Sequence, residues 1–301
     1  MKGVKFLLEP ISIGTYTSPN VLFNRLNSEL EFLQREGLPL HIDINKVGNF
    51  TFLGCEITGD NTGTSEEEVF NITKFYIANC LADIIVNEWE SRIIKKIVRN
   101  TYYYYNEEEK QTILNKAKEI LNPLGSNSYH QNERKEKVMV KILEYLDMHK
   151  ELILEGFVNF RLKDYQNELE DVVNSAVDEF LLEKEYMEFI RLLRYFVDIQ
   201  EPRVKTIQVI FKQTGKFNLL DENDKPVNND YLEGFVVDLL DNEINYEDLL
   251  ISALITLAPK EVILHLENGV VSGDIVTTIK NVFSNRVVMC SGCSKCRHPE
   301  K

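Results

Sequence analysis

The first sixty residues change hydrophobic period twice. Residues 3–9 and 11–16 are apolar and separated by Pro10, which reads as a strand and its lead-in. Thr17-Ser18-Pro19 then opens a helix, with Ser18 as N-cap and Pro19 at the first helical position. Leu22, Leu26, Leu30 and Leu33 follow at helical spacing, and Gly37 ends the run. Residues 39–45 alternate, Gly48-Asn49 makes a turn, and 50–57 returns as a second strand. The pattern predicts a small αβ module over residues 1–60.

Residues 58–65, rich in Gly, Asn, Thr and Ser, read as a linker. Ser65 and Glu68 fit a capping box, and apolar residues then run almost unbroken from Val69 to Ile97. A helix apolar on several faces is expected at the centre of a core. A second helix is predicted over 107–121 and an exposed loop over 122–132. From 133 to 200 the pattern is helical. Val138, Ile142, Tyr145, Leu146, Ile153 and Phe157 form one stripe; Tyr165, Leu169, Val172, Val173, Ala176 and Phe180 form another. Phe189, Leu192, Leu193, Phe196 and Val197 form a third, and Pro202 closes the series. Residues 65–202 are therefore expected as a helical domain.

Beyond Pro202 the period returns to two. Residues 204–212 and 216–220 predict a hairpin around Gln213-Thr214-Gly215. A short helix near 229–240 and an apolar helix over 246–257, ended by Pro259, come next. A strand over 261–265, a helix over 272–283 and a strand over 285–290 suggest a right-handed parallel crossover. The expected fold class is α+β: a small N-terminal αβ module, a central helical bundle, and a C-terminal ββαβαβ-like module with a mixed sheet over 203–296, then a tail, 297–301.

Charge narrows the function. The chain of 301 residues has 48 acids against 34 bases, net −14. Phosphate neutralisation needs a basic face, so the whole chain is not a polyanion binder. The acidity is local: residues 221–248 hold ten acids and one base, Lys225. Hard divalent cations bind carboxylate clusters, but this stretch lacks the EF-hand register and reads as a solvated face. No apolar run reaches the ~18 residues of a membrane span. Glu9 and Pro10 stop the N-terminal apolar run well short of the ~7–15 residues of a signal-peptide core. The expectation is a cytoplasmic protein.

The sharpest local signal is Cys290-Ser291-Gly292-Cys293-Ser294-Lys295-Cys296-Arg297-His298, two overlapping C-x-x-C steps directly after a strand. Such loops aim thiolates at one point, where a metal fixes them. Lys295 and Arg297 would favour the thiolates, which opens redox use as well. Cys290, Cys293, Cys296 and His298 are the candidate ligands, for zinc or an Fe–S cluster. Ferredoxin-type runs place a fourth Cys where this chain has Glu300. The fourth ligand is therefore open among His298, Cys55, Cys80, His265, solvent and a second chain. The bland alternative is a frayed tail with free thiols. Cys55 and Cys80 by themselves read as buried hydrophobes.

Other features carry less. Lys95, Lys96 and Arg99 precede Tyr102-Tyr103-Tyr104-Tyr105, a combination that can bind single-stranded nucleic acid. Tyrosines distributed around a helix and used for packing are the preferred reading. Arg161, Lys163, Arg191 and Arg194 are expected to pair with Glu168, Glu185 and Glu188. Thr214-Gly215-Lys216-Phe217 lacks the leading Gly and the hydroxyl of a P-loop. The five histidines, His41, His130, His149, His265 and His298, are scattered.

Four stretches resemble the YtxC family, named for sporulation in endospore-forming Firmicutes. They are Gly156–Tyr165 (GFVNFRLKDY), Glu179–Pro202 (EFLLEKEYMEFIRLLRYFVDIQEP), Gly215–Val227 (GKFNLLDENDKPV) and Asp248–His265 (DLLISALITLAPKEVILH). The family has no established chemistry, so no catalytic residues carry over. The resemblance implies a cytoplasmic, sporulation-linked protein. With no catalytic constellation visible, the expected function is non-enzymatic, through contacts with an unidentified protein partner. The rivals are a metal or redox protein using the cysteine cluster and a nucleic-acid binder.

Overall fold

The computed structural model describes residues 10–17, 19–38, 40–57, 66–123, 129–212, 217–227, 246–266 and 273–296. The chain divides into two compact units, Met1–Leu181 and Leu182–Lys301.

The first unit opens as the periodicity predicts, with β1 (Ile11–Thr15), α1 (Pro19–Arg35), β2 (Leu40–Val47) and β3 (Phe50–Ile57). Leu22, Leu26, Leu30 and Leu33 are the buried stripe of α1. Gly37, at φ +91°, lets the Leu38 N–H return to the Leu33 carbonyl and close the helix. Ser18 and residues 3–9 lie outside the described residues.

A continuous helical run follows: α2 (Glu66–Ile84), a π-helical turn (Ile85–Trp89) and α3 (Glu90–Thr101). It is long and apolar enough, by length and composition, to cross a membrane. However, 61% of its most apolar 18-residue window is buried inside the protein. It is the central core helix expected from the sequence, wrapped by α4 (Glu107–Leu121) and α5 (Tyr129–Met148), with α1 packed on α2.

Three local expectations fail here. The loop expected over 122–132 stops short, because α5 already starts at Tyr129. Tyr102–Tyr105 are not helical; α3 ends at Thr101 and they form the turn before α4. Tyr102 and Tyr105 pack on the core, while Tyr103 is 73% exposed. Asn106 caps α4 with a full capping box to Glu109, and this defines where the turn stops. Ile153 belongs to a strand, β4 (Glu151–Ile153), rather than to a helical stripe. Its three residues pair in parallel with β1, and Leu152 is fully buried beside Ile13. The sheet order is β2-β3-β1-β4. After β4 come α6 (Leu154–Arg161) and α7 (Lys163–Ile199), which begins in the first unit and ends in the second.

The second unit contains β5 (Thr206–Phe211), β6 (Phe217–Leu220), α8 (Tyr246–Leu257), β7 (Glu261–Leu266), α9 (Gly273–Phe283), a 3₁₀ turn (Ser284–Arg286) and β8 (Val287–Met289). Its sheet order is β6-β5-β7-β8. The hairpin β5–β6 is antiparallel; β5, β7 and β8 are parallel, as the crossover pattern predicts. The helix expected near 229–240 falls outside the described residues. Both sheets are therefore mixed and four-stranded, and the class is α+β.

Alternation assigns the faces of the second sheet. Ile207, Val209, Phe211, Val262 and Leu264 join Leu250, Leu254, Ile279 and Phe283 in one buried cluster. Gln208 and Ile210, paired with Ile263 and His265, must point the other way. That second face carries the candidate site.

Candidate metal centre

β8 delivers Cys290 beside the end of β7, where its N–H donates to the Leu264 carbonyl at 2.9 Å. Gly292, at φ +119°, turns the chain back. The Cys296 N–H then donates to the Cys293 carbonyl at 3.1 Å, closing a tight turn. This folds Cys293 and Cys296 against His265, which is 4% exposed on β7.

The ligand atoms lie close enough together for one ion to reach them. Cys293 Sγ lies 3.3 Å from His265 Nδ1, Cys296 Sγ lies 3.5 Å from the same nitrogen, and the two sulfurs are 3.9 Å apart. With Cys290, one ligand atom from each of the four residues falls within 4.8 Å of every other. Zinc–sulfur and zinc–nitrogen bonds of about 2.3 and 2.0–2.1 Å give tetrahedral edges of about 3.8 and 3.6 Å. A [4Fe–4S] cluster takes one thiolate at each iron, which separates the sulfurs further than this.

The electrostatics suit a cation. Burial, with the Lys295 ammonium, holds His265 below the ordinary imidazole value and keeps the ring neutral, against the opposing Asp224 carboxylate. Burial works against ionisation at Cys293, but the Lys295 N–H, 3.3 Å from its sulfur, helps bring the thiol below its usual range. Cys296 is pushed up, first by burial and then by the neighbouring thiols. A cation among them reverses that last effect. His265 Nε2 is buried without a hydrogen-bond partner among the described residues.

Lys295 extends the centre sideways. Its ammonium donates to Gln208 Oε1 at 2.7 Å and to Asp224 Oδ1. Gln208 Nε2 in turn donates to Asp224 Oδ1 and the Asp221 carbonyl, at 2.8 and 3.0 Å. The cysteine loop therefore reaches from β8 across β7 and β5 to the turn after β6.

Of the residues singled out in the sequence, Cys290, Cys293 and Cys296 come together. His298 lies outside the described residues. His265 joins the cysteines from β7, a place among the alternatives raised for the fourth ligand. Cys55 and Cys80 are 3% and 2% exposed, far in sequence from this centre, and burial pushes both thiols up to about 12. Lys95, Lys96 and Arg99 lie along α3. Arg161 sits over the Tyr145 ring, Arg194 donates to the Asn281 carbonyl, and Glu168 pairs with Lys137. These partners differ from the expected ones because helices pack with neighbours that periodicity does not name.

No solved structure matches the chain. It is 27% identical over 205 residues to the uncharacterised protein YtxC of Bacillus subtilis (strain 168), covering 66% of this chain and 71% of that one. A profile of the YtxC-like family matches residues 75–288, a span that includes His265 and stops before Cys290. Extending over more than half of its length, that match makes this chain a member of the YtxC-like family.

Proposed function

We propose that this protein is a non-enzymatic, sporulation-associated cytoplasmic protein whose second unit folds around one zinc ion. The ligands are His265 Nδ1 and the thiolates of Cys290, Cys293 and Cys296. The observation that carries this is the convergence of four protein ligand atoms within 4.8 Å. Four protein ligands leave no open position for water or substrate, which is the arrangement of a structural site rather than a catalytic one. The ion would tie β7 to the loop after β8, leaving the surface of the unit to act through protein contacts. The sporulation role rests on the resemblance to the YtxC family.

Metal analysis of anaerobically purified protein tests the centre. One zinc per chain is expected, falling to none when Cys290, Cys293 and Cys296 are all replaced by Ser. Absence of zinc from the unaltered protein overturns the reading, and a visible iron–sulfur absorption replaces it with a cluster. A deletion strain that sporulates normally removes the sporulation part.

A further inference from the structure

A second candidate site lies wholly within the first unit. α3 and the residue before it present Trp89, Arg92, Ile93, Lys96, Ile97 and Asn100 to a cavity of about 390 Å³. The facing wall is Tyr16-Thr17 after β1, Val158-Asn159 of α6, and Gln166 and Glu170 of α7. A volume of this size falls in the range of small-molecule sites, about 300–1,000 Å³.

The facing wall is fixed before any ligand arrives. Glu155 Oε1 accepts from Thr15 Oγ1, the Tyr16 N–H and the Thr17 N–H, at 2.7, 3.1 and 2.9 Å. Gln166 Nε2 donates to the Val158 carbonyl at 2.6 Å, joining α7 to α6. The other wall begins at the last residue of the π-helical turn, a helix irregularity frequent at functional sites.

Its chemistry is mixed in a particular way. Trp89 supplies a flat aromatic face, and Ile93, Ile97 and Val158 supply apolar surface. Two cations, Arg92 and Lys96, stand against one carboxylate, Glu170. Arg92 lies over the Trp89 ring and 3.7 Å from Glu88. Lys96 has no ion-pair partner among the described residues, in a chain of net charge −14.

We propose that this cavity binds a small anion carrying a flat ring, with the ring against Trp89 and the anionic group at Lys96 and Arg92. A half-open cleft of about 390 Å³ suits a mononucleotide-sized molecule rather than a polymer. Stacking supplies affinity, and the lysine selects charge.

Trp89 is the single tryptophan of the chain, so its emission reports the cavity directly. Adenosine monophosphate, adenosine and inorganic phosphate are titrated separately into the full-length protein, with excitation selective for tryptophan. The expected result is saturable quenching by adenosine monophosphate, with adenosine and phosphate each at least about tenfold weaker, since each lacks one half of the recognition. Lys96→Glu is expected to weaken adenosine monophosphate at least about tenfold, and Glu170→Gln to tighten it severalfold. Lys95→Glu, one position away and not lining the cavity, leaves the affinity within about twofold. Circular dichroism melting confirms that each variant is folded. No saturable quenching by adenosine monophosphate, or equal losses in Lys95→Glu and Lys96→Glu, overturns the proposal.

Discussion

Each unit gathers side-chain polar groups at one place, and the two clusters use different chemistry. In the first, Glu90 of α3 sits deep between α3, α5 and α7 and is fully matched. It accepts from Arg134 Nε at 2.8 Å and Nη2 at 3.3 Å, and from the Tyr165 hydroxyl. Arg134 spends two more donors on the Leu121 carbonyl and Asn122 Oδ1, at 2.9 and 3.1 Å. Burial alone lowers the affinity of Arg134 for its proton, but Glu90 outweighs this and raises it; burial and Glu90 raise Tyr165. In the second unit, three sulfurs and the His265 imidazole nitrogen converge within 4.8 Å of one another. One network carries its own counter-charge. The other is a set of sulfur and nitrogen electron-pair donors, the kind of set that zinc can bind.

This contrast can be broken most forcefully by chelation. Structural zinc contributes on the order of 10 kcal/mol to small domains. Removing it should abolish amide protection across β5, β7 and β8 while α2 and α4 keep theirs. Hydrogen exchange read peptide by peptide checks this, and unchanged protection of β7 would refute a structural ion.

Arg134→Leu is the matching blow to the first unit. It strands the buried Glu90 carboxylate and should cost about 3–5 kcal/mol in urea unfolding. Adding Glu90→Leu should recover much of that loss. A cost below about 1 kcal/mol for Arg134→Leu would mean the network is not a staple at all.

Acid sharpens the comparison more gently. Burial alone would raise the Glu155 carboxyl, but the hydroxyl of Thr15 and the amides of Tyr16 and Thr17 overcome it and hold it below the ordinary value. A depressed carboxyl stabilises the fold above its unfolded value and loses that contribution as pH falls through the lower folded value. The first unit should therefore weaken below about pH 4. Glu155→Gln should flatten that acid limb, as seen in melting temperature against pH, and an unaltered limb would remove Glu155 as its cause.

The smallest effect belongs to Lys295→Met. The Lys295–Asp224 pair is partly exposed, so its loss should cost less than about 1 kcal/mol and leave one zinc per chain. Loss of the metal in this variant would make Lys295 part of the centre rather than its outrigger.

Much of this was legible in the sequence where a residue acts through its neighbours in the chain. The Leu22–Leu33 stripe, the Gly37 stop and the β7–α9–β8 crossover needed only spacing. The thiol cluster was visible because its three members lie within seven positions. His265 was harder: it lies 25 residues before Cys290, across a helix. Its signal was the alternation Val262, Ile263, Leu264, His265, which places a histidine on the opposite face from the valine and leucine. A parallel neighbour ending at Cys290 then makes the two strand ends adjacent. β4 was hidden because three residues are too few to reveal a period. The Glu90–Arg134–Tyr165 network was hidden because three long-range partners share one carboxylate, and no local pattern encodes that.

The π-helical turn explains why Val69–Ile97 reads as apolar on several faces. Ile77, Leu81 and Ile84 before it and Ile93, Ile94 and Val98 after it do not fall on one stripe at 3.6 spacing. The upstream half packs on α1 and α5, the downstream half on α4. The turn acts as a vernier between two amphipathic helices in different phase. Removing one residue within it, such as the exposed Asn87, would let the wide turn close to an ordinary α-helical one, whereas removing one residue from the α-helical part of α2 would swing everything downstream by about 100°. In the second case Glu90 would leave Arg134, and Lys96 would leave its cavity wall, in a single frame-shift of the helix that changes no other side chain.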